Sequence, residues 1–425
     1  MEILKQKAHG ALRWSEGFFK TDMVYVAQGG FWLGIGQVLS ALIAFFSSIF
    51  FANYVSKDIY GNYKFIIAAT SILGSLALTG MGTVVAQGVA QGYEGILKKA
   101  VSSTLKWGSI ITVAGISLSA YYFLHQNNIL GLAMLIAGAS LPFSQAFTLY
   151  GNYLVGKKDF KRVTIFASIS QLLTTTALIT IAITTGNIVA MVLVYFLVNT
   201  ATTFLFYQYT VNKFHINDTH DHSLIPYGKH LSLMGLFGTV ANQFDKILVF
   251  HYLGAIELAV YAFAQAIPDQ FKGVLKNIFG IALPKYANLE DAQLRKSISK
   301  KFIQLTIFAA FGIIAYIILA PLIFKLLFPK YLEAVFYSQI YMLGLITIPG
   351  ISLFGIYFQL KKATKKMYQL NVIGNISTLI VTFILIYKFG LEGAVIANGV
   401  SWLIMLLVHW YYFLRDRSSR GTVLV

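Results

Sequence analysis

The sequence contains no cysteine among its 425 residues. Disulfides, thiolate catalysis and cysteine-based metal sites are therefore excluded. Charged residues make up only 12% of the chain, whereas a soluble domain carries about a quarter. Hydrophobic residues make up 57% and the mean hydropathy is +0.69. A chain with so little charge and so much apolar surface is predicted to be an integral membrane protein.

The sequence also lacks the motifs of common enzymes. It shows no Walker motif, no glycine-rich phosphate loop and no Ser/His/Asp arrangement, so ATP hydrolysis and nucleophilic catalysis are not expected. The N-terminus has no short apolar core followed by a cleavage site, which argues against a signal peptide. His215, His220, His222 and His230 have a loose metal-site spacing, but without a second cluster they are interpreted as part of a solvated loop. We therefore expect no enzyme, no metal and no cofactor.

The net charge of +17 raises the question of nucleic-acid binding. A nucleic-acid-binding domain gathers its basic residues on one face, whereas here they are spread between apolar segments. Most of the lysines and arginines fall on the same side of the membrane as the N-terminus when successive segments alternate in direction. This asymmetry follows the positive-inside rule and predicts that both termini are cytoplasmic.

Twelve segments are long and apolar enough to span a bilayer, which requires about 20 residues each. They are 28–52, 63–83, 107–125, 129–150, 163–183, 187–209, 230–252, 257–280, 302–322, 334–358, 368–387 and 390–414. The fold class is therefore an all-α polytopic membrane protein.

The chain also repeats itself. GNYLVGKKDFKR (151–162) follows the fourth span and GIYFQLKKATKK (355–366) follows the tenth, 204 residues later. Six spans return the chain to the starting side, so the halves are predicted to be parallel six-helix repeats. The predicted organisation is a cytoplasmic N-terminal tail 1–27, an N-terminal lobe 28–209, a cytoplasmic middle loop 210–229, a C-terminal lobe 230–414 and a cytoplasmic tail 415–425.

The seventh predicted span carries charge at its centre. Asn242, Gln243 and Lys246 follow helical spacing and form one polar stripe, with Asp245 at its edge. Asp245 and Lys246 are adjacent, so their side chains do not face each other and each needs another partner. A charge within a membrane usually faces a bundle interior or a water-filled cavity.

Other spans add polar faces. The predicted cavity residues are Lys64 in the second span, Asn242, Gln243 and Lys246 in the seventh, Gln265 and Lys272 in the eighth, and Asn371 and Asn375 in the eleventh. Asp245 and Asp269 are candidates for ion coupling, and Pro268 is a candidate hinge because it removes a backbone hydrogen bond. Two readings stay open: these residues line a hydrated cavity, or they bond the helices together, with a buried pair joining the seventh span to the eighth.

Two stretches carry a family resemblance. The first is FFANYVSKDIYGNYKF with GSLALTGMGTVVAQ, and the second is DKILVFHYLGAIELAVYAFAQAI ending near LPKYANL. They resemble the polysaccharide repeat-unit exporters, the O-antigen flippases of the multidrug/oligosaccharidyl-lipid/polysaccharide exporter superfamily. The matching residues are Tyr60, Gly61, Tyr63, Asp245, Tyr261 and Ala264.

The resemblance implies a V-shaped, two-lobed, alternating-access transporter in the bacterial inner membrane. Its substrate would be an oligosaccharide on undecaprenyl diphosphate, moved from the inner to the outer leaflet, with H⁺ or Na⁺ as coupling ion. Such a protein would act as a monomer among membrane lipids, beside a polysaccharide polymerase and assembly proteins, and without nucleic acid. The alternative is a cation-coupled multidrug exporter of the same fold, and a membrane scaffold is a third class that inward polar stripes disfavour.

Overall fold

The computed structural model describes residues 23–214, 216, 217, 219, 221, 224–286 and 291–416, and within these ranges every regular element is helical. The chain divides into two compact units, one formed by Tyr25–Phe250 and one that begins at His251. We call them the first unit and the second unit. The predicted all-α class is confirmed.

The first unit is built from nine helices. They are α1 (Met23–Tyr54), α2 (Lys57–Ser75), α3 (Met81–Ala90), α4 (Ile96–Leu124), α5 (Asn128–Phe147), α6 (Leu149–Gly156), α7 (Phe160–Thr184), α8 (Ile188–Phe214) and α9 (Leu224–Leu253). The last three residues of α9 fall in the second unit.

The second unit contains five further helices among its described residues. They are α10 (Ala255–Tyr286), α11 (Asp291–Leu327), α12 (Ala334–Gly344), α13 (Ile348–Leu360) and α14 (Thr364–Arg415), with 3₁₀ turns at Pro329–Tyr331 and Leu345–Thr347.

All twelve predicted spans fall on helices. Among the described residues, eight helices are long and apolar enough to cross a membrane by length and composition. One of them, α14, has 52 residues, which at 1.5 Å per residue would be about 78 Å long and more than twice the roughly 30 Å hydrocarbon core. It bends at Gly390, whose φ of 55° and ψ of −129° are not helical, so it accounts for the eleventh and twelfth spans.

The second span differs from the prediction of one helix over 63–83. α2 starts earlier because Ser56 caps it: its hydroxyl accepts a hydrogen bond from the Ile59 amide at 3.3 Å. The chain then leaves the helix before α3 begins at Met81. The amide of Gly80 in this break donates to the Ser232 hydroxyl at 2.9 Å, a contact with α9 that sequence periodicity does not contain.

α9 packs within the first unit. A Cβ atom added to Gly80 would lie 2.5 Å from the Gly228 carbonyl oxygen, so glycine at position 80 lets this part of the chain approach the α9 backbone closely. The predicted lobe boundary at 230 assigns this helix to the C-terminal half, whereas its contacts group it with 25–250. The functional division into lobes stays a prediction.

The two copies of the repeated sequence form the same helix end. Lys158 with φ 62° and Lys362 with φ 50° both adopt the left-handed conformation. In each copy this residue's amide donates to the carbonyl three residues earlier, and the next amide donates to the carbonyl five residues earlier, at 2.9–3.0 Å. This pair of bonds defines a Schellman motif. The structural match at an offset of 204 residues supports an internal duplication.

Candidate functional site

The polar face of α9 begins with Asn242, which is exposed. One residue further along, Gln243 accepts a hydrogen bond at 3.3 Å from the Lys246 ammonium, as expected for residues three apart on one helix face. The predicted stripe therefore exists, and the Lys246 side chain turns to Gln243 rather than to its neighbour Asp245.

Asp245 lies at the edge of this stripe, where α9 turns to its packed face. The residue is 7% exposed and shares the buried stripe of Ala241, Leu248 and Val249. The carboxylate accepts a hydrogen bond from the Lys246 backbone amide at 2.8 Å. Burial of a carboxylate is unfavourable unless it is charge-balanced or hydrogen-bonded. Asp245 thus has the edge position that periodicity predicted, and it is buried in the helical packing of the first unit.

Lys64 stands beside tyrosines on α2. Its ammonium lies 5.1 Å from the ring centroid of Tyr60, within the range of a cation–π interaction. Tyr63 packs edge-on against Tyr195 of α8, with ring centroids 6.4 Å apart. Tyr60 and Tyr63 are buried, while Lys64 is half-buried. The first unit therefore holds a lysine next to Tyr60 and, on the same helix, a tyrosine that packs against α8.

The second unit holds a more connected group. The Tyr341 hydroxyl of α12 donates a hydrogen bond to the Asp269 carboxylate of α10 at 2.8 Å. The Lys272 ammonium lies 4.4 Å from the ring centroid of Trp402 on α14. Tyr341 and Trp402 pack edge-to-face, with centroids 5.2 Å apart. We call Asp269, Lys272, Tyr341 and Trp402 the polar–aromatic cluster; it joins three helices of one unit.

A second contact extends this face of α10. The Asn398 amide of α14 donates to the Tyr261 hydroxyl at 2.7 Å. Tyr261 is 0% exposed and Gln265, one turn further along, is 4% exposed. Tyr261, Gln265 and Asp269 are spaced by four residues, so they follow one stripe toward the cluster.

The cluster lies at the middle of its helices. Asp269 comes 14 residues after Ala255, the first residue of α10, which is about 21 Å along the axis. Trp402 comes 12 residues after Gly390, or about 18 Å along its arm. If these helices cross a hydrocarbon core of about 30 Å, both residues are near its centre. Asp269 is nevertheless exposed, which is compatible with a membrane only if it faces water or protein.

The other predicted residues are placed as follows. Asn371 is exposed and Asn375 is half-buried, and both lie on the arm of α14 before Gly390, whereas Trp402 and Asn398 lie on the arm after it.

The predicted hinge stays a prediction, because α10 continues as one helix through Pro268. The predicted pairing of Asp269 and Lys272 with Lys246 and Asp245 also stays a prediction, because the two pairs belong to different units. His215, His220 and His222 lie outside the described residues.

Sequence reasoning missed Tyr341, Trp402 and Asn398. Aromatic residues are common in membrane spans, so Tyr341 and Trp402 gave no signal of their own. Asn398 and Trp402 are spaced by four residues in an apolar span, and this spacing would have placed both on one helix face.

The chain was compared with known proteins. A family model described as polysaccharide biosynthesis protein matches residues 26–284. No curated protein sequence matches significantly. Among solved structures, the lipid II flippase MurJ in an inward closed conformation is similar with a TM-score of 0.70 and 16% identity, over 89% of this chain and 86% of that one. An inward-facing multidrug resistance MATE family transporter of the MOP superfamily is similar with a TM-score of 0.63 and 15% identity, over 90% and 96%.

These similarities show the structural class of the protein: the chain has the helical fold of MOP-superfamily flippases and exporters. It belongs to the polysaccharide biosynthesis protein family, whose model matches more than half of its length. It is a multi-pass membrane protein, and the two solved structures that share its fold are a flippase and an exporter rather than enzymes, as the sequence predicted.

Proposed function

We propose that this protein is a flippase. It moves an undecaprenyl-diphosphate-linked oligosaccharide, an O-antigen or related repeat unit, from the inner to the outer leaflet of the bacterial inner membrane. The observation that carries the proposal is the polar–aromatic cluster, which brings a carboxylate, an ammonium and two aromatic rings together from three helices in a family of polysaccharide biosynthesis. Both termini are proposed to be cytoplasmic and the protein to act as a monomer.

The cluster suits the head group of such a lipid. The polyprenyl tail can stay in the bilayer, while the sugars and diphosphate cannot cross the hydrocarbon core unaided. Lys272, beside the Trp402 ring, is proposed to supply positive charge for the diphosphate. Lys246, which donates to Gln243, is proposed to supply positive charge on the face of α9. Asn242, Gln265, Asn371, Asn375 and Lys64 are proposed to meet sugar hydroxyls along the path.

Ion coupling is proposed to run through Asp245 and Asp269. Moving one charge through 100 mV is worth about 2.3 kcal/mol, so export of an anionic head group is driven by an outside-positive potential. Return of the empty carrier then takes up H⁺ or Na⁺ on a carboxylate. The Tyr341 hydroxyl donates a hydrogen bond to Asp269 and fixes the orientation of its carboxylate.

The multidrug exporter is the second candidate, because a MATE transporter shares the fold. A site for cationic drugs needs carboxylates without neighbouring ammonium groups. Here Lys272 lies one turn after Asp269 on the same helix, and this neighbour disfavours a cation as substrate. The lysine thus favours the flippase.

The deciding experiment removes the gene and measures lipid-linked oligosaccharide on each leaflet together with surface polysaccharide. The flippase proposal expects accumulation on the cytoplasmic leaflet, loss of surface polymer and restoration by the wild-type gene. A polymerase defect also removes the polymer, but it leaves the repeat unit on the outer leaflet. An unchanged lipid-linked pool with increased drug sensitivity would reject the flippase and favour the exporter.

A further inference from the structure

The repeated sequence builds an ion cluster at one helix end in each unit. In the first unit, Tyr153 donates a hydrogen bond to Glu94 at 2.9 Å, and Lys157 forms an ion pair with the same carboxylate. In the second unit, the corresponding Tyr357 donates to Asp416 at 2.9 Å. A tyrosine and the lysine four residues later therefore share one acidic group in both copies.

The two clusters differ in where the acid comes from. In the second unit, Lys361 pairs with Asp291 at 2.8 Å and with Asp416 at 3.2 Å. Asp291 starts α11 just as Glu94 precedes α4, so these two acids correspond by topology. Asp416 is additional: it follows the last residue of α14 and is the last residue that the structure describes.

A sequence difference between the two repeats accounts for the contacts that Asp416 makes. Arg162 in the first copy pairs with Asp159, which caps its own helix. The equivalent positions in the second copy are Lys366 and Ala363, so that carboxylate is missing. Lys366 pairs instead with Asp416 at 2.7 Å. A carboxylate built into the first unit is replaced in the second by one from the C-terminal tail.

The surroundings of Asp416 form a concentrated set of donors. Its carboxylate receives hydrogen bonds from Tyr357, Lys361 and Lys366, and its carbonyl accepts from Arg295 at 2.7 Å. The Asp416 side chain is only 10% exposed and that of Lys361 only 13%. Burial raises the pKa of Asp416, but the hydrogen bonds from Lys366, Tyr357 and Lys361 outweigh it and lower the pKa to about 2. The donors are thus arranged to hold an anion at neutral pH.

We propose that this is an anion site for the phosphate group of a lipid head group, and that the Asp416 carboxylate occupies it in place of the lipid. Three cationic side chains and a phenol surround the position, with Asp291 as the other carboxylate. A phosphate carries more charge and more acceptor oxygens than a carboxylate, so Lys and Arg hold it more strongly. The site lies where α11 and α14 begin and α13 and α14 end, which is a membrane-surface position for spanning helices.

The test is lipid binding by the full-length protein in detergent, measured by native mass spectrometry with phosphatidic acid, phosphatidylcholine or inorganic pyrophosphate. Asp416→Asn removes the competing charge and is expected to raise the affinity for phosphatidic acid about tenfold, the scale of coupling between two ligands of one site. Adding Lys366→Gln to this variant is expected to abolish the gain. Adding Lys365→Gln, the exposed neighbour, is the matched control and retains it.

A second readout follows the tail itself. Because the chain has no cysteine, Ser418→Cys provides a single position for a fluorescent label. The anisotropy of this label is expected to fall when phosphatidic acid is added. The same fall is expected in Asp416→Asn without added lipid. Release by pyrophosphate as well would keep the phosphate site and identify a soluble diphosphate as a ligand. Equal binding of phosphatidic acid by all variants, or a label unaffected by both phosphates, would overturn the proposal. These measurements need no flipping activity, so they stand apart from the proposed function.

Discussion

The Tyr341 hydroxyl and the Asp269 carboxylate are 2.8 Å apart and join α12 to α10. This bond orients a charged group whose side chain is otherwise exposed. A hydrogen bond to a charged group contributes about 1.5–3 kcal/mol, so the pair is a sensitive position for testing the site.

Tyr341→Phe removes this hydrogen bond and keeps the ring against Trp402. We expect flipping of the lipid-linked oligosaccharide in proteoliposomes to fall about tenfold, which corresponds to ~1.4 kcal/mol, while the melting temperature changes little. Tyr337→Phe, one turn earlier on α12, is the matched control. Equal rates in both variants would show that the Asp269 contact has no role in transport.

Lys272 and Trp402 are expected to act together on the diphosphate. Lys272→Gln removes the charge and should weaken substrate binding by more than tenfold, since the loss of a charge-assisted contact costs about 1.5–3 kcal/mol. Trp402→Phe keeps a ring under the ammonium and should cost less than Trp402→Ala. The measurement is binding of the lipid-linked oligosaccharide in detergent.

The control for this pair is Lys325→Gln, an exposed lysine near the end of α11. It changes the net charge by the same amount and should leave binding unchanged. A similar loss in both lysine variants would indicate a general charge effect rather than a site.

Asp245→Asn distinguishes ion coupling from structural packing. The amide oxygen can still accept the hydrogen bond from the Lys246 backbone, so we expect a folded protein with a melting temperature within a few degrees of the wild type. Its transport should no longer respond to an imposed H⁺ or Na⁺ gradient. Glu392→Gln, an exposed acid on α14, should keep the response. Loss of folded protein in Asp245→Asn alone would instead assign the buried carboxylate to packing.

Asp416 predicts a pH dependence of stability. Its pKa is lowered from 3.8 to about 2, so its ionised form stabilises the folded state above pH ~4, and this contribution disappears as the pH falls toward 2. The difference in unfolding free energy between wild type and Asp416→Asn should be at most about 2 kcal/mol at pH 7 and should narrow below pH 4. Thermal unfolding across this range measures it. A difference that does not change with pH would show that ionisation of Asp416 does not stabilise the fold.

The apolar segments allowed the helices to be predicted, because length and hydropathy are local properties of the sequence. The break at Gly390 agrees with the predicted boundary between the eleventh and twelfth spans. The break between α2 and α3 was not predicted, because it depends on the contact of Gly80 with Ser232 on a distant helix.

The sequence predicted only some of the residues of the functional site. Asp269 and Lys272 were identified because charge is rare and costly in a span. Tyr341 and Trp402 became part of the site only through their contacts with those two residues. Periodicity placed Asp245 at the edge of the polar stripe, but periodicity alone does not say that this edge is the packed one.

The corner of α14 has a mechanical consequence. A Cβ atom at Gly393 would lie 1.9 Å from the Leu385 carbonyl oxygen, so the backbone of the two arms touches directly beside Gly390. This backbone contact leaves little room for the two arms to move separately. We therefore expect a tilt of the arm that carries Asn371 and Asn375 to be passed on to the arm that carries Trp402.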